Sequence, residues 1–195
     1  MPADALRIAR FCDLLTNRKA IADFPGADNG LQHRGKARVR KVGAAVDAGA
    51  KVFEMAAKRG VDFLIVHHGM RWRPVSPERE VRRLRLAALK KTGLSLYSSH
   101  LPLDAHPVIG NNALIAADLG LKVVDWFVDY EGLPIACLCQ GIPRATLARR
   151  LKQSYPDTYQ AIEFGSARRW SSAPRPLPLR MAIFFGRADP NSMAW

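Results

Sequence analysis

The sequence predicts an α/β fold in which a parallel or mixed sheet is flanked by helices. Three observations carry this. Short apolar runs occur at Val42–Val46 and Phe63–Val66, and Leu94–Ser98 reads as a third strand. Stretches of helical period separate them, and glycines fall where those stretches end, at Gly60, Gly93 and Gly120. Continuous apolar strands are those buried on both faces, and their alternation with helices is the pattern of parallel strands joined by crossovers.

Taken in order, Ala3 to Leu15 places Leu6, Ile8, Ala9, Phe11, Cys12, Leu14 and Leu15 close to helical period, with Asp4 near the start. Phe24-Pro25-Gly26-Ala27-Asp28-Asn29-Gly30 reads as a loop. Val42 to Val46 reads as a strand ending at Asp47, and Ala50 to Lys58 as a helix closed by Gly60. Phe63 to Val66 is the next strand. Ser76-Pro77-Glu78 opens a helix, with Ser as N-cap and Pro at the first helical position, running to about Lys91. Leu94 to Ser98 is the third strand and Asn111 to Leu119 a further helix. Lys122 to Tyr130 and Pro134 to Gln140 read as a strand pair, Pro143 to Leu151 as a short helix and Tyr159 to Phe164 as a strand. The character changes at Gly165: residues 166–195 read as a divergent Arg- and Pro-rich tail after a domain spanning 1–165, with Met181 to Phe185 as its strand-like run.

A chain of 195 residues has room for one good core or two small lobes. With 48% hydrophobic and 24% charged residues it has the balance of an ordinary soluble globular protein. The sequence has no run of about 20 apolar residues, so no membrane span is expected. Met1-Pro2-Ala3-Asp4-Ala5-Leu6 lacks a basic region leading into an apolar one, so no secretory signal is expected. Three cysteines, Cys12, Cys137 and Cys139, make no disulfide framework; Cys137-Leu138-Cys139 alternates as core or edge-strand thiols do. A reduced, cytoplasmic protein is the expectation. The net charge of +13 raises nucleic-acid or anionic ligands as partners. Its basic residues are scattered apart from Arg79, Arg82, Arg83, Arg85, Lys90 and Lys91, which suit the solvated face of one helix. Nucleic-acid binding is therefore not expected as the main role, and a phosphate-bearing small substrate suits the charge as well.

Two predicted strands end in histidine. Phe63-Leu64-Ile65-Val66 leads into His67-His68-Gly69, and Leu94 to Ser98 leads through Ser99 into His100-Leu101-Pro102-Leu103-Asp104. Open parallel sheets bind ligands beyond the carboxyl ends of their strands, and consecutive parallel strands are often neighbours. His67, His68, His100 and Asp104 are thus candidates to converge there. Imidazole and carboxylate suit Zn, Mn, Fe or similar ions. Adjacent strand residues point opposite ways, so both histidines reach one site only if the strand has ended and the chain turns, which Gly69 permits. The doublet also suits two ions at roughly 3.5–4 Å that together activate a water. The plainer reading, polar residues at surface turns, suits His33 and His106 better. Asp28-Asn29-Gly30-Leu31-Gln32 reads either as a turn cap or as a group that hydrogen-bonds a ligand. Asp47 reads first as the N-cap of the following helix and otherwise as an outer-shell acid. Ser98 and Ser99 lack the partners of a nucleophilic serine, and no dinucleotide fingerprint or P-loop is present.

Asp28-Asn29-Gly30-Leu31-Gln32, His67-His68-Gly69, Ser98-Ser99-His100-Leu101-Pro102-Leu103-Asp104, Asn111-Asn112 and Leu119-Gly120-Leu121 occur in this order. Together, over roughly residues 5–165, they resemble the NGG-interacting-factor-three-like family, whose bacterial members are labelled GTP cyclohydrolase I type 2 homologues. The resemblance implies three-layer αβα lobes, a homohexamer and a dinuclear centre of two divalent metal ions. It implies His67, His68 and Asp104 as metal ligands, with His100 close by as an outer-shell residue or occasional ligand. It implies metal-dependent hydrolase chemistry on a nucleotide-like small molecule. The family also has a His and a Glu ligand in a late Gly-His-x-x-x-Glu type segment, and here no histidine follows His106. An incomplete C-terminal lobe, from a truncated or frameshifted product, is one expectation. The alternative to an enzyme is a regulatory or assembly module with a vestigial metal site.

Overall fold

The structure is a computed structural model, and it describes residues 1–70, 79–130, 133–156 and 180–183. The chain divides into two compact units, Met1–Leu103 and Asp104–Trp195. The domain boundary read at residue 165, the Ser76-Pro77 helix start and the Tyr159–Phe164 strand lie outside the described residues.

The first unit contains β1 (Ala3–Asp4), α1 (Ala5–Leu15), β2 (Gly30–His33), β3 (Arg38–Val39), β4 (Val42–Asp47), α2 (Ala50–Lys58), β5 (Phe63–His68), α3 (Arg79–Thr92) and β6 (Ser95–Ser98), and α4 (Leu101–Asp104) follows in the chain. The α1 helix starts where the sequence places it: the Asp4 carboxylate accepts from the Leu6 and Arg7 amides. Gly60 and Gly93, which follow α2 and α3, have the positive φ that lets a chain leave a helix without a Cβ clash.

The main sheet has the order β2-β6-β5-β4. β5 is parallel to both β4 and β6, and β2 runs antiparallel to β6. The sheet is therefore mixed, with a parallel centre. Alternate residues face opposite layers. Leu64, Val66 and Leu96 pack with Phe53 of α2 and Leu89 of α3, whereas Phe63 and Tyr97 pack with Ala5 and Ala9 of α1. Helices thus cover both faces in a three-layer αβα arrangement, which is why β5 opens as the unbroken apolar run Phe63–Val66. Full burial of a side chain such as Phe53, Phe63 or Leu96 contributes about 1.5–3 kcal/mol. Tyr97 donates its hydroxyl to Asp13, whose carboxylate is also gripped by Arg18, so the end of α1 is tied to the middle of β6.

The sequence reading lacks β1, β3 and α4, and two further elements differ from it. Gly30–His33 is a strand rather than loop, and His33 is half-buried on it. β5 continues through both histidines instead of ending at Val66.

The second unit contains α5 (Asn111–Asp118), β7 (Val123–Tyr130), β8 (Leu133–Gln140), α6 (Arg144–Ser154) and β9 (Arg180–Ile183). Its sheet is antiparallel, order β7-β8-β9, so the strand-like run at Met181 pairs with β8. Cys137 and Cys139 lie on the central strand, fully buried against Ala116, Leu119 and Leu121. They are core thiols, as their alternation suggested. Arg150 donates to the carbonyls of Leu119 and Gly120 and so closes the end of α5.

Candidate metal centre

Register decides what meets at the carboxyl edge of the main sheet. Asp47 pairs with His68 across β4 and β5, and Val66 pairs with Ser98 across β5 and β6. β4 and β5 therefore stop level with one another at Asp47 and His68, and β6 stops at Ser98, opposite Val66. Gly30 pairs with Ser98 on the other side, so the antiparallel β2 brings Asn29 to the same edge.

His67, His68 and His100 gather there. Each offers a ligand nitrogen, and the three atoms lie within 4.8 Å of one another. The ring centroids are 4.7 Å apart for His67–His68, 4.8 Å for His67–His100 and 5.5 Å for His68–His100. The doublet meets although both members are in the strand. His68 is its last residue, and Gly69 follows it, packed against the Gln32 side chain. A Cβ at Gly69 would run into the Gln32 amide, which donates to the Asp28 carbonyl and accepts from the Met70 amide.

Each of the three rings uses Nδ1 on an acceptor. His67 Nδ1 is 3.0 Å from the Ser99 carbonyl, His68 Nδ1 is 2.8 Å from an Asp47 carboxylate oxygen, and His100 Nδ1 is 2.8 Å from Asp23 Oδ1. Carbonyl and carboxylate oxygens only accept, so Nδ1 donates in each case and the neutral ring carries its lone pair on Nε2. His67 and His100 are buried. Burial, and then the neighbouring His100 and His68, push the His67 pKa down to about 4, so this imidazole is neutral at pH 7. Neutral imidazoles held from behind by acceptors are the usual form of metal-ligating histidine. The donor set fits a divalent ion, and the cluster can hold one.

Asp23 is the residue that the sequence reading did not single out. Its side chain is 5% exposed. It accepts from the Phe24 amide (2.7 Å), Asn29 Nδ2 (2.6 Å), His100 Nδ1 (2.8 Å) and the Leu101 amide (3.0 Å). Burial alone would raise its pKa, but the hydrogen bonds from His100 and Asn29 outweigh that and hold the carboxyl below its ordinary value. Nothing in the local sequence marks it, because three of its four partners lie between six and 78 residues away.

Asn29 does more than cap a turn: its Oδ1 accepts from the His100 amide at 2.7 Å while its Nδ2 donates to Asp23. The first reading of Asp47 is corrected. The N-cap of α2 is Gly49, and the Asp47 carboxylate goes to His68. Asp104 is the last residue of α4 and the first of the second unit; it is buried, and its carboxylate accepts from Asn111 Nδ2 at 2.8 Å. His106 accepts the Val108 and Ile109 amides on Nδ1, a turn contact outside the cluster. Ser99 Oγ is buried with no hydrogen-bond partner among the described residues. No helix among the described residues is long and apolar enough to cross a membrane.

Residues 7–171 match the model of the Duf34/NIF3 (NGG1p interacting factor 3) family. The GTP cyclohydrolase 1 type 2 homolog of Archaeoglobus fulgidus is 38% identical over 128 residues, covering 66% of this chain and 51% of that protein. The protein of the same name from Escherichia coli K12 is 46% identical over 109 residues, covering 55% and 43%. The crystal structure of TTHA1606 from Thermus thermophilus superposes with a TM-score of 0.65 at 40% identity, over 77% of this chain and 60% of that one. The chain thus spans about half the length of these curated relatives.

Proposed function

The chain belongs to the Duf34/NIF3 (NGG1p interacting factor 3) family, and from that premise we propose that it carries a divalent-metal centre serving metal-dependent hydrolysis. The observation that carries the proposal is the convergence of His67, His68 and His100, each with Nδ1 already committed to an acceptor. These histidines would hold the metal. Asp104 is proposed as a carboxylate ligand on the strength of the family motif, and two ions per site on the same ground. A bound divalent ion would act as a Lewis acid toward an electrophilic substrate and water.

The remaining work falls to this chain's own side chains. His67 stays neutral through burial, so no proton has to leave before it can donate its lone pair. Asp23 and Asn29 lock the backbone and ring of His100. The substrate class follows the name of the relatives, GTP cyclohydrolase 1 type 2 homolog: a nucleotide-like small molecule. A cytoplasmic homohexamer is the assembly proposed with it.

Metal analysis of the purified full chain after supplementation with zinc, manganese or iron tests the reading. About one equivalent or more per chain, lost in His67→Ala, is expected. Less than about half an equivalent of any divalent metal would sink it. Nucleotide hydrolysis that follows metal occupancy supports the enzymatic part, and full occupancy with no turnover of any nucleotide refutes that part alone.

A further inference from the structure

We infer that Asp23 and Asp47 are positioning residues: they fix the rings of His100 and His68 so that each presents Nε2, and His100 is thereby a direct ligand on equal terms with the doublet. The inference rests on the metal-centre reading above and assigns roles within that site.

An imidazole can ligate through either nitrogen, and a free ring exchanges between two tautomers. A site that needs three lone pairs at one place must suppress the wrong tautomer three times. Here three different segments do so. The Ser99 carbonyl fixes His67 from β6's own continuation. The Asp47 carboxylate fixes His68 from the end of β4, one strand over. The Asp23 carboxylate fixes His100 from the connection between α1 and β2. Two of the three acceptors are carboxylates, which also make the ring a stronger donor to a metal. A histidine outside the ligand set would not need this. His100 has the most elaborate support of the three: its ring is held by Asp23, its backbone amide by Asn29, and Asn29 and Asp23 by each other.

The two carboxylates differ in a way that makes the inference testable. Asp23 is buried among four donors, so its removal also disturbs folding. Asp47 is 71% exposed, and its carboxylate reaches inward to His68. Removing it leaves the fold alone and frees one ring.

The experiment uses the full chain, labelled with nitrogen-15 histidine, in metal-free form and during cobalt(II) titration. In the unsubstituted chain the ring-nitrogen shifts of His67, His68 and His100 report protonated Nδ1. Asp47→Ala moves His68 toward a mixture of tautomers, weakens cobalt binding roughly 10- to 100-fold and leaves the unfolding midpoint in place. Asp47→Asn, which keeps an acceptor oxygen, restores the tautomer. His100→Ala weakens cobalt binding as far as His67→Ala does. Unchanged ring shifts and unchanged affinity in Asp47→Ala overturn the positioning role. A loss in His100→Ala no larger than that in Asp47→Ala overturns its assignment as a ligand. If the unsubstituted chain takes up neither cobalt nor zinc, the metal-centre reading itself fails, and that result is distinct from the other two.

Discussion

Replacing Asp23 with asparagine changes one atom and tests the core of the site. The carboxylate takes two donors on each oxygen: the Phe24 amide and His100 Nδ1 on Oδ1, and Asn29 Nδ2 and the Leu101 amide on Oδ2. An asparagine has one acceptor oxygen. Whichever way the amide turns, its NH2 faces two donors, and both lose their acceptor in a nearly closed environment. An unsatisfied buried donor costs about 1–3 kcal/mol, so the pair costs about 2–6 kcal/mol. That is a large share of the ~5–15 kcal/mol that holds a domain folded. Urea denaturation of the two metal-free chains at pH 7, compared at equal m-values, measures it. The pH dependence adds a second reading. The folded-state pKa of Asp23 lies below the ordinary value. Its contribution is therefore complete above about pH 4, the unfolded value, and is lost as pH falls through the lower folded value. The gap between the chains should narrow in acid. A variant within about 0.5 kcal/mol of the parent at pH 7, the range of a neutral surface change, would refute the reasoning. So would a gap that stays constant into acid.

Other outcomes follow from the same geometry. His67 has its folded pKa pushed from 6.5 down to about 4, so the metal-free chain should be equally stable above pH 6.5 and lose stability below it as the unfolded state takes up the proton; the loss reaches about 3 kcal/mol near pH 4, read by urea midpoints across that window. Gly69→Ala should displace the Gln32 amide from the Asp28 carbonyl and the Met70 amide. A loss of about 0.5–1.5 kcal/mol is expected in thermal unfolding, and an unchanged transition would count against the close approach of Gln32 to Gly69. Cys137 and Cys139 are fully buried, and burial, then Cys139, pushes the Cys137 thiol up to about 12. Both should resist a thiol-reactive disulfide reagent until the chain unfolds; fast labelling in the native state would contradict the packing of the second unit.

The parallel centre of the main sheet was legible because burial on both faces leaves a plain mark, an apolar run without alternation. The histidine doublet was legible for the same reason: two polar residues at the end of such a run stand out. β2 left no such mark. Gly30-Leu31-Gln32-His33 is short and mixed, and it becomes a strand through antiparallel pairing with β6, a partner more than sixty residues later. The path of β5 through His68 was also hidden, because strand alternation argues against two neighbours serving one site. At the last residue of β5, past the end of β6, that argument no longer binds. Asp47 looked like a helix cap because acids before helices usually are; its register opposite His68 gives it other work. Asp23 was invisible for a deeper reason. Its role is defined by donors that the fold brings from both ends of the unit, and a single Asp between Ala22 and Phe24 carries no pattern.

The bond from Asp23 to His100 joins residues 77 positions apart. Contacts of such sequence separation carry the largest loop-closure entropy and form late, once the intervening strands and helices are docked. The parallel pairings of β4, β5 and β6 are themselves non-local. The third imidazole therefore takes up its orientation only when the connection after α1 has closed over the edge of a finished sheet. An ion that requires all three nitrogens would bind the completed first unit and not its folding precursors. Metal uptake followed in time would thus serve as a clock for the last step of folding, lagging the appearance of secondary structure.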